Sequence, residues 1–418
     1  MRMNNKELFP IENNSACVYK WGWNTFRLYT GRSSSCHRVK PVKVSIENFQ
    51  NFHNTPEVIQ DRKLMLDGKW PQGRGCEYCK DIEAAGGESD RTYHNKIPGL
   101  TPIDFDGGNL EVTPNILEIY LDNHCDLACV YCSPWYSSKI NNELKKFGPN
   151  TFNVSSVERH LDHAKYLELF SEWLTNNSHK INRLSILGGE PLIQKEFWKL
   201  LDKLETTENR HLELVIVTNL NSPVDTVKKY VDKVKKLIIE KRIKRADISC
   251  SLDCWGPQQE FTRYGINLER WKENFEFLIQ HKWLTIGIHP VVNCLSISTM
   301  LEMQNMITNY KKINPKIRLD YHVVDGIAEQ VYNPIIFGCD FFKNKLENLL
   351  NNFPVVNDSD IESKKRLEGI AKLISKGEID KVRLKKLKLT LDQLDFRRKT
   401  NWRILFPEID NFFKEHEI

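Results

Sequence analysis

In the run Asn123-His124-Cys125-Asp126-Leu127-Ala128-Cys129-Val130-Tyr131-Cys132, three cysteines are separated by three residues and then by two. Thiolates this close on one loop can point at a single centre, and soft sulfur ligands suit an iron–sulfur cluster or zinc. A four-iron cubane takes four ligands, so three cysteines leave one metal corner open, as catalytic metal sites do. With the adjacent His124 the same residues could instead close a zinc site. A second set, Cys17, Cys36, Cys76 and Cys79, supplies four thiols. Four thiols close a cubane with no open iron, or build a zinc ribbon. Between Leu187 and Leu192 lies Gly188-Gly189-Glu190-Pro191. Its glycines allow backbone to approach a ligand closely, and its carboxylate suits an ammonium group, although the tetrapeptide alone is also an ordinary turn.

These groups need a scaffold, and the hydrophobic pattern describes one. Strand-like runs fall at Asn115–Leu121, Arg183–Leu187, Leu212–Thr218, Asp247–Leu252, Leu284–Asn293 and Ile317–Val324. Helical periodicity lies between them, as in Val224, Val227, Val231, Val234 and Ile238, or Leu268, Trp271, Phe275, Leu278 and Ile279. Alternating strand and helix predicts a parallel α/β sheet, either a partial barrel or a doubly wound sheet. The cysteine triplet then sits on the loop after the first strand, and the other motifs at later strand ends, where a barrel places its ligands. Residues 1–108 read as loop-rich, with one helix over Pro56–Leu66, and residues 339–418 as a helical extension around a 109–338 barrel.

Composition narrows the classes further. The 418 residues include 11 Cys, and those before residue 133 are the clustered ones. Clustered cysteines in a reducing compartment are more often metal ligands than disulfides. The net charge of +5, from 60 basic and 55 acidic residues, is too small and too dispersed to predict a nucleic-acid partner. No apolar run is long enough for a membrane span, and Met1–Pro10 lacks the apolar core of a signal peptide. The expected location is cytoplasmic. The basic stretch Lys381–Lys388 reads as a solvated helix face.

Cys125-x3-Cys129-x2-Cys132, with Tyr131 before the last cysteine and the Gly-Gly-Glu-Pro motif one βα unit later, resembles the signature of the radical SAM superfamily. The resemblance implies a partial (βα)6 TIM-like barrel in which Cys125, Cys129 and Cys132 hold a 4Fe–4S cluster whose open iron chelates S-adenosylmethionine (SAM). It implies SAM contacts from Tyr131, Gly188, Gly189, Glu190, Asn219, Ser251, Arg263 and Asn293. Arg263 is favoured for the carboxylate, because a guanidinium fork fits one. Cys17-x13-Gly31-x4-Cys36 followed by Cys76-x2-Cys79 is similar to the twitch half of the SPASM motif. Met65–Trp70, Cys76–Glu83, Ser89, Arg91 and Asn95 continue that likeness. It implies a second, auxiliary 4Fe–4S cluster. In the family this module follows the barrel, whereas here it precedes it.

The implied activity is reductive cleavage of SAM to a 5′-deoxyadenosyl radical that abstracts a substrate hydrogen, with flavodoxin or ferredoxin as electron donor. Relatives with a second module suggest a peptide or protein substrate undergoing oxidation, crosslinking or epimerisation. The alternatives are dehydrogenation of a sugar or other small molecule, and a non-catalytic zinc scaffold. Cys250 and Cys294 read as strand packing, while Cys254 and Cys339 are the free thiols a hydrogen donor would be sought among.

Overall fold

A computed structural model describes residues 8–418. The first seven residues of the Met1–Pro10 segment lie outside the described residues. The strands, in chain order, are β1 (Trp23–Arg27), β2 (Arg32–Ser34), β3 (Val42–Lys43), β4 (Ile116–Tyr120), β5 (Ala128–Cys129), β6 (Arg183–Leu187) and β7 (Glu213–Thr218), followed by β8 (Arg245–Cys250), β9 (Arg263–Tyr264), β10 (Thr285–Ile288), β11 (Val291–Val292), β12 (Arg318–Leu319) and β13 (His322–Val323). A 9-stranded sheet has the order β12-β10-β8-β7-β6-β4-β1-β2-β3. From β4 to β12 the pairing is parallel and follows chain order without reversal. A doubly wound sheet would reverse at a switch point, so this is the order of a partial (βα)6 barrel.

One face of these strands is apolar and packs under the helices. Leu117, Ile119, Leu184, Ile186, Leu214, Ile216, Ala246, Ile248, Ile286 and Ile288 are fully or almost fully buried. Their alternates, Glu118, Ser185, Val215, Asp247 and Thr285, share the inner face, because side chains alternate along a strand. Helices Lys195–Leu204, Val224–Ile239, Leu268–Leu278 and Met300–Ile313 connect successive strands and contribute Phe197, Tyr230, Trp271 and Met303 to the same core.

Three differences from the sequence reading have local causes. The run Leu284–Asn293 is two strands, β10 and β11, because Pro290 cannot donate to a ladder. The last run breaks in step, and β11 pairs with β13 in a separate small sheet. The third difference is larger. Residues 23–43 are part of the barrel sheet: β1 pairs in parallel with β4, and β2 and β3 extend it by antiparallel pairing. A boundary at residue 108 therefore cuts through a continuous sheet. β1 escaped notice because its buried residues include Asn24 and Thr25 as well as Phe26, which leaves no apolar alternation to read.

The helix Pro56–Leu66 forms as expected, with Pro56 in its first turn and Thr55 accepting a bond from Val58 N. Beyond residue 338 the chain is helical. Helix Lys381–Arg398 packs back against helix Ser138–Phe147, which follows the cysteine loop, and against β9: Arg398 Nε donates to Glu143 at 3.0 Å, and its guanidinium lies 4.9 Å from the Tyr264 ring.

Candidate functional site

At the C-terminal ends of β4, β6, β7 and β8 a cavity of about 240 Å³ is lined by Cys125, Cys129 and Cys132. Tyr120, Tyr131, Tyr136, Gly188, Gly189, Thr218, Asn219, Ser251 and Arg263 complete much of its wall. The three thiols come from one loop, held at several points. Cys129 pairs with Arg263 and Ala128 with Tyr264 in the β5–β9 ladder, and Val130 N donates to Thr262 O at 2.8 Å. Gln194 Nε2 donates to the carbonyls of Asp122, His124 and Gly188, tying the cysteine loop to the double-glycine turn. Ser137 Oγ donates to Leu127 O at 2.7 Å.

The double glycine is required sterically. Gly188 and Gly189 have φ of 79° and 62°, the left-handed region. A Cβ on Gly189 would lie 2.2 Å from His124 O, and one on Gly188 2.3 Å from Tyr120 Cδ1.

Arg263 reaches the cavity wall as one arm of a buried assembly. Its Nε and Nη2 donate to Asp253 at 2.9 Å each, Tyr131 Oη donates to Asp253 at 2.6 Å, and the guanidinium lies 5.6 Å from the Tyr131 ring. Asp253 also accepts from Val291 N. The sequence reading missed Asp253, although it closes the run Ser249–Asp253 at the end of β8, ten residues before Arg263. It also missed Asp126, which accepts from Asn219 and Asn221 at 2.7 Å and so orients the cavity-lining Asn219.

Two expected contacts are turned away from the cavity. The Glu190 carboxylate is fully buried and accepts from Thr218 Oγ1, Asn219 N and Leu192 N, which joins β6 to β7. Burial pushes its carboxyl up to about 7, against the pull of these donors. Asn293 is also fully buried; its Oδ1 accepts from Leu295 N and Ser296 N, and its Nδ2 donates to Val291 O. Both side chains shape loops, and neither lines the cavity. Cys250, Cys254 and Cys294 are fully buried, and Cys254 Sγ lies 3.3 Å from Gln259 Oε1; Cys339 is exposed.

The other cysteines also come together. Cys17, Cys36, Cys76 and Cys79, drawn from separated segments, line one small pocket with Tyr19, Met65, Trp70 and Arg91. Arg91 donates to Ala16 O and Glu83, and Asn95 bonds both Ala16 O and Val18 N, so these two residues hold the flanks of Cys17. Ser89 caps the helix that carries them. Gly31, with φ of 62°, turns β1 into β2 and lies against the Tyr166 hydroxyl, so the motif glycine also has a steric reason.

In each donor set the cysteines line one pocket, three in the first and four in the second, and thiol donors of this kind suit iron–sulfur or zinc. Burial raises the thiols of Cys125 and Cys129 and pushes Cys132 up to about 12. Burial likewise raises Cys17 and Cys79 and pushes Cys76 up to about 11. Ligation must therefore displace these protons.

The two sets lie at opposite ends of one ladder. Cys17 precedes the Trp23 end of β1, which pairs with Ile116, whereas the Cys125 loop follows Tyr120, which pairs with Arg27. Four strand steps at ~3.3 Å place these ends ~13 Å apart.

Residues 119–307 match the model of the radical SAM superfamily. The chain is 23% identical over 225 residues to an S-adenosylmethionine-dependent nucleotide dehydratase from Fibrobacter sp. (strain UWH6), covering 53% of this chain and 61% of that protein. The match thus spans about three fifths of the relative's length. Among solved structures, Streptococcus suis SuiB bound to precursor peptide SuiA is 14% identical, with 90% of this chain and 69% of that chain covered and a TM-score of 0.36. Native anSMEcpe with bound AdoMet and Kp18Cys peptide is 15% identical, with 63% of each chain covered and a TM-score of 0.35.

Proposed function

We propose that this chain, whose residues 119–307 match the radical SAM superfamily model, cleaves SAM reductively and abstracts a hydrogen atom from a peptide or protein substrate. The observation that carries this reading is the single cavity shared by Cys125, Cys129, Cys132 and the double glycine, at the strand ends where a barrel does its chemistry. A bound 4Fe–4S cluster and SAM supply the one-electron and radical chemistry that side chains lack.

The protein's part is position and electrostatics. Cys125, Cys129 and Cys132 would hold the cluster, three thiolates for a group that takes four ligands. Gly188 and Gly189 would let backbone approach bound SAM closely, while Asn219 and Ser251 offer polar groups from the neighbouring wall. Arg263 holds positive charge beside Cys129, with Nη1 3.9 Å from its sulfur, and Asp253 fixes the guanidinium and Tyr131 together. Glu190 acts at one remove, by holding the turn that carries the glycines.

The second cluster is assigned to Cys17, Cys36, Cys76 and Cys79. Its place at the far end of the β1–β4 ladder favours electron exchange through the barrel wall over direct ligation of substrate. A flavodoxin or ferredoxin is the proposed electron source. A second reading, a small-molecule substrate, is favoured by the likeness to a nucleotide dehydratase.

The test is anaerobic purification with metal and product analysis. The expected result is ~8 iron and ~8 sulfide per chain, from two four-iron clusters. SAM with dithionite should then yield 5′-deoxyadenosine without substrate. Zinc in place of iron at both sites would reduce the protein to a metal-bound scaffold and end this reading.

A further inference from the structure

The strands that precede the barrel carry a row of positive charge to the edge of the cavity. In the β1–β2 ladder Arg27 stands opposite Arg32, and in the β2–β3 ladder Arg32 stands opposite Lys43. On its other side Arg27 pairs with Tyr120, which lines the cavity. Direct cross-strand partners share a face of the sheet, so Lys43, Arg32, Arg27 and Tyr120 form one row. That face is the inner one. Phe26, the alternate of Arg27, packs on the opposite side with Phe49, Phe52 and Tyr166. At ~4.8 Å between strands, the three cations extend over ~10 Å.

No carboxylate among the described residues neutralises them. Among the described residues none of the three makes an ion pair, and Arg32 and Lys43 make no side-chain hydrogen bond. Arg27 Nη2 donates to Tyr136 Oη at 3.1 Å, its guanidinium lies 5.2 Å from the Tyr120 ring, and its Nη1 is buried without a partner. Of the other inner-face arginines near strand ends, Arg245 pairs with Glu213 and Arg318 with Asp247, while Arg183 stands alone and donates only to Ser185 Oγ, with no like charge directly opposite it. Like charges set directly opposite destabilise a sheet, and an unmet buried N–H adds to that cost. A row that persists on these terms is explained by an anion arriving from outside.

We infer that Arg27, Arg32 and Lys43 bind an anionic group of the substrate, phosphate or carboxylate, and so align the substrate along the inner face with its reacting carbon over the cavity. This rests on the reading that hydrogen abstraction occurs there. Arginine forks fit both anions, and the exposed Lys43 marks the open end at which a longer substrate leaves. A phosphorylated small molecule and an acidic peptide segment present the same chemistry to the row.

The experiment is calorimetric titration of the full-length protein with two probes, inorganic tripolyphosphate and a glutamate-rich hexapeptide, in ~0.15 M salt. At least one should bind with Kd below ~1 mM. Tripolyphosphate alone identifies a phosphorylated substrate, the peptide alone an acidic peptide, and both the shared chemistry. Arg27→Gln and Arg32→Gln should each weaken binding about tenfold or more, and Lys282→Gln, an exposed site elsewhere, should not. Phenylglyoxal labelling of wild type, mapped by mass spectrometry, needs no variant to fold: the bound probe should protect Arg27 and Arg32. Absence of binding by both probes, or equal labelling with and without a bound probe, overturns the inference. Wild-type 5′-deoxyadenosine formation without substrate is a separate readout, so failure of the radical reading is told apart from failure of this one.

Discussion

Arg263 meets Asp253 through two hydrogen bonds of 2.9 Å, Nε to Oδ2 and Nη2 to Oδ1, with both side chains almost wholly out of water. The pair links the end of β8 to β9, and through β9 to the backbone of Cys129. Its position makes it the joint between the barrel wall and the cysteine loop.

Asp253→Asn should therefore be costly. It leaves a buried guanidinium without its counter-charge, a loss of about 3–5 kcal/mol when one partner of a buried pair is removed. Urea unfolding should show the drop, and the variant should retain less iron at the first site, read by its visible absorption.

Replacing Cys125, Cys129 and Cys132 together by Ala should remove ~4 of ~8 iron and abolish 5′-deoxyadenosine formation. Retained product with half the iron would place SAM cleavage elsewhere.

Substituting Cys76 and Cys79 by Ser should remove the other ~4 iron. SAM cleavage without substrate should persist, and turnover of the true substrate should stop, because the far pocket takes no part in holding SAM.

Gly189→Ala forces a Cβ to within 2.2 Å of His124 O at a φ of 62°. The cysteine loop must shift to accommodate it. Strain of order 1–3 kcal/mol is expected, with loss of SAM affinity by equilibrium dialysis exceeding loss of global stability.

His53 predicts a pH dependence. Burial first, and then the Arg62 guanidinium, hold its imidazole neutral and well below the ordinary histidine range. The unfolded chain binds a proton below pH ~6.5 that the folded chain refuses, so stability falls as pH drops below that value. The slope is up to about 1.4 kcal/mol per pH unit, and His53→Gln should flatten it in denaturation curves measured from pH 7.5 to 5.

The chemistry of the first site was legible because its spacing is local. Three cysteines on one loop and two glycines in one turn need no knowledge of the fold to be grouped, and the periodicity of Arg183–Leu187 or Val224–Ile239 fixes strand and helix by alternation and by 3.6-residue repeat. The four N-terminal cysteines were grouped by their resemblance, and the fold brings them to one pocket through Arg91 and Asn95, whose partners lie more than seventy residues away.

Other features depended on distant partners. Sequence could name Glu190 and Asn293 as polar residues at strand ends, but only packing decides whether such a group faces a cavity or satisfies nearby backbone, and here both do the latter. It could not show β1 in the barrel sheet, since Asn24 and Thr25 are polar residues buried by contacts with Ser33 and Glu118. Register then did what composition could not. It set Arg27, Arg32 and Lys43 in one row beside Tyr120, because cross-strand pairing joins residues that the chain keeps apart.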